Sequence, residues 1–271
     1  MIKTFSPSSP ILKKYIECFY LYEGKPISKF SYVAFPHFNT GLSFFKGASI
    51  KREQWRIEIS ESRDAAVHIE ILGKYTSPLK IDYKGKVQEI SIVFKPLGFN
   101  RFVRGSYQSI APHFSQQFTN NVWRDFGKNL FSGEDDSSNL ESFLLSQFTE
   151  IQDLARIEES LKNLENSNDE ISIANLAILL GYNQKTFQRH FKKYMGCTPI
   201  EYRRICRFRH ALTNKLNNAQ LKNLTELTYE GGDFDQSYFI KEFHKLTNHN
   251  PTDFFKTASK VDGDKIVWVI K

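Results

Sequence analysis

Residues 176–211 read LAILLGYNQKTFQRHFKKYMGCTPIEYRRICRFRHA, and their apolar spacing, caps and charge decide how the chain is organised. Ser172 stands before the run Ile173–Leu180, and Asn183 follows Gly181. Each is a side-chain acceptor placed to cap a helix, the second one extending from about Gln184 to Tyr194. Two short helices with a glycine-containing turn between them predict a helix-turn-helix. Thr198 and Pro199 then supply a cap and a proline at the first helical position, where its missing N–H costs nothing. A long helix follows, to about Asn217.

Charge is concentrated in the same stretch. Between Gln184 and Lys215 the basic residues are Lys185, Arg189, Lys192, Lys193, Arg203, Arg204, Arg207, Arg209 and Lys215, against the single acid Glu201. The whole chain of 271 residues carries 37 Lys and Arg against 30 Asp and Glu, a net +7 with a pI near 9.1. The local excess exceeds the global one and points to a polyanionic partner, since a merely solvated helix face mixes both signs.

The pattern then repeats. Phe187-x3-Phe191-Lys192-Lys193 with Thr198-Pro199 returns as Phe239-x3-Phe243-His244-Lys245 with Asn250-Pro251, displaced by 52 positions, and Leu176-Ala177 returns as Leu227-Thr228, displaced by 51. Two helix-turn-helix units in tandem are expected, at about 171–198 and 223–250. Two units are too few for a stacked solenoid.

With these residues in view, the segment from about Ile157 to Phe255 resembles the DNA-binding domain of the AraC-type (AraC/XylS) transcription regulators, through residues 176–211 and again through DFDQSYFIKEFHKLTNHNP at 233–251. Thr228, Asp233 and Asn248 depart from the family's usual alanine, aromatic and glycine. Thr is nearly as small, Phe234 supplies an aromatic one position later, and Asn is among the few residues that accept a left-handed backbone. The resemblance implies that the long helix from Pro199 spaces two recognition helices about one DNA turn apart. A monomer would then cover a bipartite site.

Helical spacing assigns the faces. Phe187, Phe191 and Tyr194 form a buried stripe, which leaves Lys185, Gln188 and Arg189 opposite to read bases. Gln suits adenine and Arg suits guanine, in a major groove roughly 12 Å wide. In the second unit Phe239, Phe243 and Leu246 form the stripe and Gln236, Ser237, Tyr238 and Lys241 the outward set. Lys192, Lys193, Arg203 and Arg204 are expected on phosphates, which give affinity with little sequence information. Asp235 is expected to cap a helix.

Upstream, Trp55–Ser60 (WRIEIS), Ala66–Gly73 (AVHIEILG) and Val87–Lys95 (VQEISIVFK) alternate or are β-branched, so residues 1 to about 110 predict a half-buried antiparallel sheet or barrel. Short helices are expected at Leu97–Arg104 and Asn120–Phe131, a loop at Ser132–Ser138, and an apolar helical stripe from Leu140 through Phe143, Leu144 and Phe148. That stripe is core or a seam between two copies. The fold class is therefore α+β: a β-rich, cupin-like domain with flanking helices (1–152), an all-α domain of two helix-turn-helix units joined by a long helix (153–258), and a tail (259–271) whose KIVWVIK is prone to join the N-terminal sheet.

By resemblance the N-terminal half binds a small effector or dimerises. Among its aromatics Phe35, Phe44 and Trp55, with His37, are candidates to line an effector pocket, against the plainer reading that strand aromatics are core. Double-stranded DNA is the expected partner, with RNA polymerase and a second copy admitted. A metal-dependent enzyme on a small β-barrel is the alternative. It finds weak support, because His37, His68 and His113 show no ligand spacing and no nucleophile or phosphate-loop motif occurs. No cofactor is expected. Cys18, Cys197 and Cys206 lie far apart and read as reduced thiols. No window offers the roughly 18–20 apolar residues of a membrane helix, and no secretory signal is recognised at the N-terminus, so a cytoplasmic, nucleoid-associated protein is expected.

Overall fold

The computed structural model describes residues 2–64, 66–131, 136–165, 171–217, 236–257, 259–261 and 266–270. Its strands are β1 (Ile2–Phe5), β2 (Ile16–Glu23), β3 (Lys29–Ala34), β4 (Thr40–Lys46), β5 (Ala48–Glu53), β6 (Arg56–Glu61), β7 (Val67–Leu72), β8 (Leu79–Lys84), β9 (Gln88–Phe94), β10 (Ser115–Gln117), β11 (Ser259–Val261) and β12 (Ile266–Ile270). Its helices are α1 (Pro10–Tyr15), α2 (Tyr107–Ile110), α3 (Asn121–Leu130), α4 (Asp136–Gln147), α5 (Ala155–Glu165), α6 (Ile173–Leu179), α7 (Gln184–Met195), α8 (Pro199–Asn217), α9 (Gln236–Thr247) and α10 (Pro251–Thr257).

The strands form two six-stranded sheets, ordered β1-β2-β9-β4-β7-β10 and β11-β12-β3-β8-β6-β5. Pairing is antiparallel except between β6 and β8, which run parallel with Ile57 opposite Ile81. The three stretches recognised by alternation are β6, β7 and β9. β6 and β7 are half-buried, with two and three of six residues buried, whereas in β9 five of the seven are buried. Period two places Phe19, Leu42, Phe44, Ile69, Ile71, Ile90, Ile92 and Phe94 on one face of the first sheet. Helices α3 and α4 cover that face with Trp123, Leu130, Leu140 and Leu144. Each side chain so buried contributes roughly 1.5–3 kcal/mol. The stripe of Leu140 and Leu144 is thus intramolecular core. Asn120 caps α3 by accepting from the Trp123 N–H at 3.3 Å, whereas the helix expected at Leu97–Arg104 is only a 3-10 turn at Phe99–Arg101. Of the loop expected at Ser132–Ser138, residues 132–135 lie outside the described residues and Asp136 already begins α4.

The tail joins the second sheet, β12 pairing with β3 so that Trp268 lies opposite Ala34 and Ile270 opposite Tyr32. Among the described residues no helix is long and apolar enough to cross a membrane.

The sheets and the C-terminal helices share one apolar cluster, in which Phe35, Phe38 and Leu97 meet Leu161, Phe191, Tyr202, Phe208 and Phe254. Helix α2 also abuts the end of α7. There Gly196 has φ +71°, and a Cβ on it would fall 2.6 Å from ring atoms of Tyr107. Gly181 has nearly the same backbone, φ +72°, with nothing near its missing Cβ. Gly181→Ala should therefore lose only the left-handed backbone penalty of about 1–2 kcal/mol. Gly196→Ala should lose more in urea unfolding, because Tyr107 must move as well.

Candidate nucleic-acid interface

The first unit is built from caps outward. Ser172 accepts from the Asn175 N–H at 3.1 Å and starts α6, and Asn183 accepts from the Thr186 N–H at 2.8 Å and starts α7. Gly196 ends α7 in the left-handed conformation, its N–H bonded to the Lys192 carbonyl at 2.9 Å. Thr198 and Glu201 then form a reciprocal box at the start of α8: the Glu201 carboxylate accepts from the Thr198 N–H at 2.8 Å, and Thr198 Oγ1 accepts from the Glu201 N–H at 3.2 Å. Thr198 is legible in the sequence as the cap, whereas Glu201, the lone acid of the basic window, is its other half only in the folded chain.

The second unit repeats the ending 52 positions later. Asn248 takes φ +57° where Gly196 takes +71°, as its side chain permits. Asn250 accepts from the Asp253 N–H at 2.9 Å ahead of Pro251, as Thr198 does ahead of Pro199. Ring contacts repeat too, Phe191 with Tyr202 at 5.7 Å and Phe243 with Phe254 at 5.2 Å. Residues 218–235, with Leu227, Thr228, Asp233, Phe234 and Asp235, lie outside the described residues, so the first helix of this unit and the Asp235 cap are undescribed.

On α7 the stripe is inward: Phe187 and Phe191 are fully buried and Tyr194 nearly so. Lys185, Arg189, Lys192 and Lys193 are exposed on the outer side, and Gln188 is half-buried between them. The Lys193 ammonium lies 4.8 Å from the Tyr194 ring centroid. On α9, Phe243 and Leu246 are buried, while Ser237 and Lys241 are exposed. The side chains of Gln236, Tyr238 and Phe239 are outside the described residues.

Several of the cations work inside the protein. Arg203 donates to the Ile171 carbonyl at 2.5 Å, and Arg204 Nε lies 3.1 Å from a Glu242 carboxylate oxygen, joining α8 to α9. A guanidinium carries five N–H donors, so one such bond is compatible with the place on phosphates expected for both residues. Arg209 reaches into the N-terminal half, its Nε donating to the Pro36 carbonyl at 2.8 Å and a terminal nitrogen to that of Phe35 at 2.5 Å. Burial pulls its pKa down to about 10.

The four effector candidates do not come together. Phe35 packs edge-on against Phe254 at 4.8 Å, and His37 follows it on the same seam. Phe44 points the other way, into the helix layer, 6.2 Å from Trp123. Trp55 sits in the β5–β6 turn at φ +56°, against Phe114. Only Phe44 lies in a strand, while Phe35 and His37 belong to the β3–β4 connection and Trp55 to the β5–β6 turn, so different elements place them apart. The cavity between the sheets is instead lined by Tyr20, Tyr32, Ser43, Glu70, Tyr83 and Glu89, together with aliphatic side chains. As for the enzyme alternative, among the described residues no three His, Cys, Asp or Glu side chains group to hold a metal, and His68 bonds to Glu70 at 3.2 Å.

The seam carries a titratable contact. His37 Nδ1 accepts from the Asn39 N–H at 3.0 Å, which requires the neutral ring. Burial, then the charges of Arg209 and Lys74, hold its pKa well below the usual value. The unfolded chain protonates His37 below pH about 6.5 while the folded chain resists, so stability is full above that pH and falls as acid is added. Urea midpoints should decline from about pH 6.5 to about pH 5, with a shallower decline in His37→Gln.

Residues 176–257 match the family described as a helix-turn-helix domain, and residues 3–115 match a domain of unknown function, DUF6597. No curated protein matches. Similar solved structures include ToxT from Vibrio cholerae, at 11% identity over 88% of this chain and 97% of that one, TM-score 0.47. ToxT of Vibrio cholerae strain SCE256 bound to an unsaturated fatty acid is 13% identical over 87% and 93%, with a TM-score of 0.44.

Proposed function

From the AraC-type helix-turn-helix domain that this chain carries at residues 176–257, we propose a sequence-specific regulator of transcription that reads a bipartite site with α7 and α9, under the control of an effector held by its N-terminal half. The observation that carries the reading is α7 itself. It is capped at both ends, is anchored by Phe187 and Phe191, and holds Lys185, Gln188, Arg189, Lys192 and Lys193 away from the core. A helix so presented suits the major groove, base edges meeting its first two turns and phosphates its later lysines. Lys185, Gln188 and Arg189 read bases, as do Gln236, Ser237, Tyr238 and Lys241 of the second unit. Lys192 and Lys193 hold phosphates.

The division of labour runs along the chain, residues 1–152 sensing or pairing with a second copy and residues 153–258 binding DNA. The linkage between them is physical, since Arg209 belongs to the helix that joins the two units and grips the β3–β4 connection. RNA polymerase is a further partner of such a regulator, and the cytoplasm is where it would meet DNA.

Arg189→Ala should cost about 1–3 kcal/mol at one base pair and relax preference there. Lys193→Ala should weaken specific and random duplex alike and reduce the slope of log affinity against log salt by about 1. Footprints and salt titrations on a selected site check both. Equal losses on specific and random DNA for Arg189→Ala would overturn the base-reading role.

A further inference from the structure

The face of the first sheet opposite the helices turns towards the second sheet, and its side chains are unusually polar for an interior. Tyr20 from β2, Ser43 from β4, Glu70 from β7 and Glu89 and Ser91 from β9 meet Tyr32 of β3 and Tyr83 of β8. A cavity of about 40 Å³ opens among them, lined on its remaining side by Ile57, Ile59 and Ile81.

Glu89 is only 2% exposed. It accepts hydrogen bonds from the Tyr20 hydroxyl at 2.8 Å, the Tyr83 hydroxyl at 2.5 Å and the Ser91 hydroxyl at 2.7 Å. The other two buried carboxylates of the sheets are matched by cations: Glu70 by Arg52 in a two-pronged pair, and Asp82 by Arg56 at 2.7 Å. Glu89 enters no ion pair among the described residues. Hydroxyls satisfy its lone pairs but leave its charge uncompensated in a low-dielectric interior, where a lone charge is costly. Burial accordingly raises its pKa. Tyr20, Tyr32 and Tyr83 line the cavity beside it, and tyrosine is a side chain to which cations are drawn.

We propose that the space between the sheets is a binding site for a small organic cation, an amine whose ammonium head meets Glu89 between Tyr20, Tyr32 and Tyr83 while its apolar part meets Ile57, Ile59 and Ile81. A water needs about 10–15 Å³ of such space, so the cavity takes a methylammonium-sized head as it stands. A longer body requires the β5–β6 hairpin to yield, and its outer strand β5 is largely exposed and lies at the sheet edge. The site names the ligand class for the sensor reading above and rests on that reading for its consequence, though not for the binding itself. Tyr32 lies on β3, which runs directly into Phe35 and Pro36, the carbonyls that Arg209 holds. An occupant that shifts Tyr32 therefore pulls on the helix joining the two DNA-reading units.

The test uses the full chain without DNA. Calorimetry and tyrosine fluorescence are followed against methylammonium and n-butylammonium, with n-butanol and butyrate as controls of matched shape. Saturable binding of the amines alone is expected, weakened at least about tenfold by Glu89→Gln. The proposal is overturned by an equal response to butanol, by no saturable response to either amine, or by undiminished binding in Glu89→Gln. The comparison of amine with alcohol needs only the wild-type chain and decides the matter should the variant not fold. Footprints with and without n-butylammonium separate the two readings. Saturable binding with an unaltered footprint upholds the cation site and removes its role as a sensor.

Discussion

The burial of Phe191 against Tyr202, repeated as Phe243 against Phe254, is the constraint on which the DNA-reading half depends. A recognition helix must spend one face on the core so that the other can be offered to DNA, and the aromatic at the eighth residue, Phe191 in α7 and Phe243 in α9, fixes which face is which. The same ring of Tyr202 packs on Phe38 at 4.0 Å, so the contact that orients α7 also binds it to the N-terminal half. Each large ring carries roughly 150–250 Å² out of water, which makes these few contacts the dominant ones in the seam.

The seam itself is built from complementary shortages. The β3–β4 connection leaves the carbonyls of Phe35 and Pro36 buried, and α8 brings the Arg209 guanidinium to answer them. Tyr75 adds a second donor to Phe35 at 3.0 Å. A backbone connection made this way depends on shape and position rather than on the identity of the loop side chains. Arg209 thereby ties the end of β3 to α8.

Electrostatics divides the basic window into two kinds of residue that look alike in one dimension. Lys185, Arg189, Lys192 and Lys193 stand exposed, while Arg203, Arg204 and Arg209 are partly buried and also bond to carbonyls or to Glu242. Flexible lysines are cheap to leave exposed, and planar guanidiniums with several donors suit buried acceptors. The fully exposed charge is accordingly focused on one face of α7.

What the residues determined unaided was local. Caps at Ser172, Asn183 and Thr198, the left-handed position at Asn248, the phenylalanine stripe and the repeat of 52 follow from backbone chemistry and helical period, which act over a few residues. The alternation in β6, β7 and β9, and the readiness of the tail to become a strand, were legible on the same ground. Tertiary structure alone decided which face each strand shows to what. Period two says that Phe44 and Phe45 part company but not that Phe44 meets Trp123. It sets Glu89 and Ser91 of VQEISIVFK on one face without revealing that this polar face is turned inward. The parallel pairing of β6 with β8, the return of β12 to β3 and the grip of Arg209 on Phe35 join residues remote in sequence. Such pairings are selected by the summed burial of the whole core, a quantity that no local pattern contains.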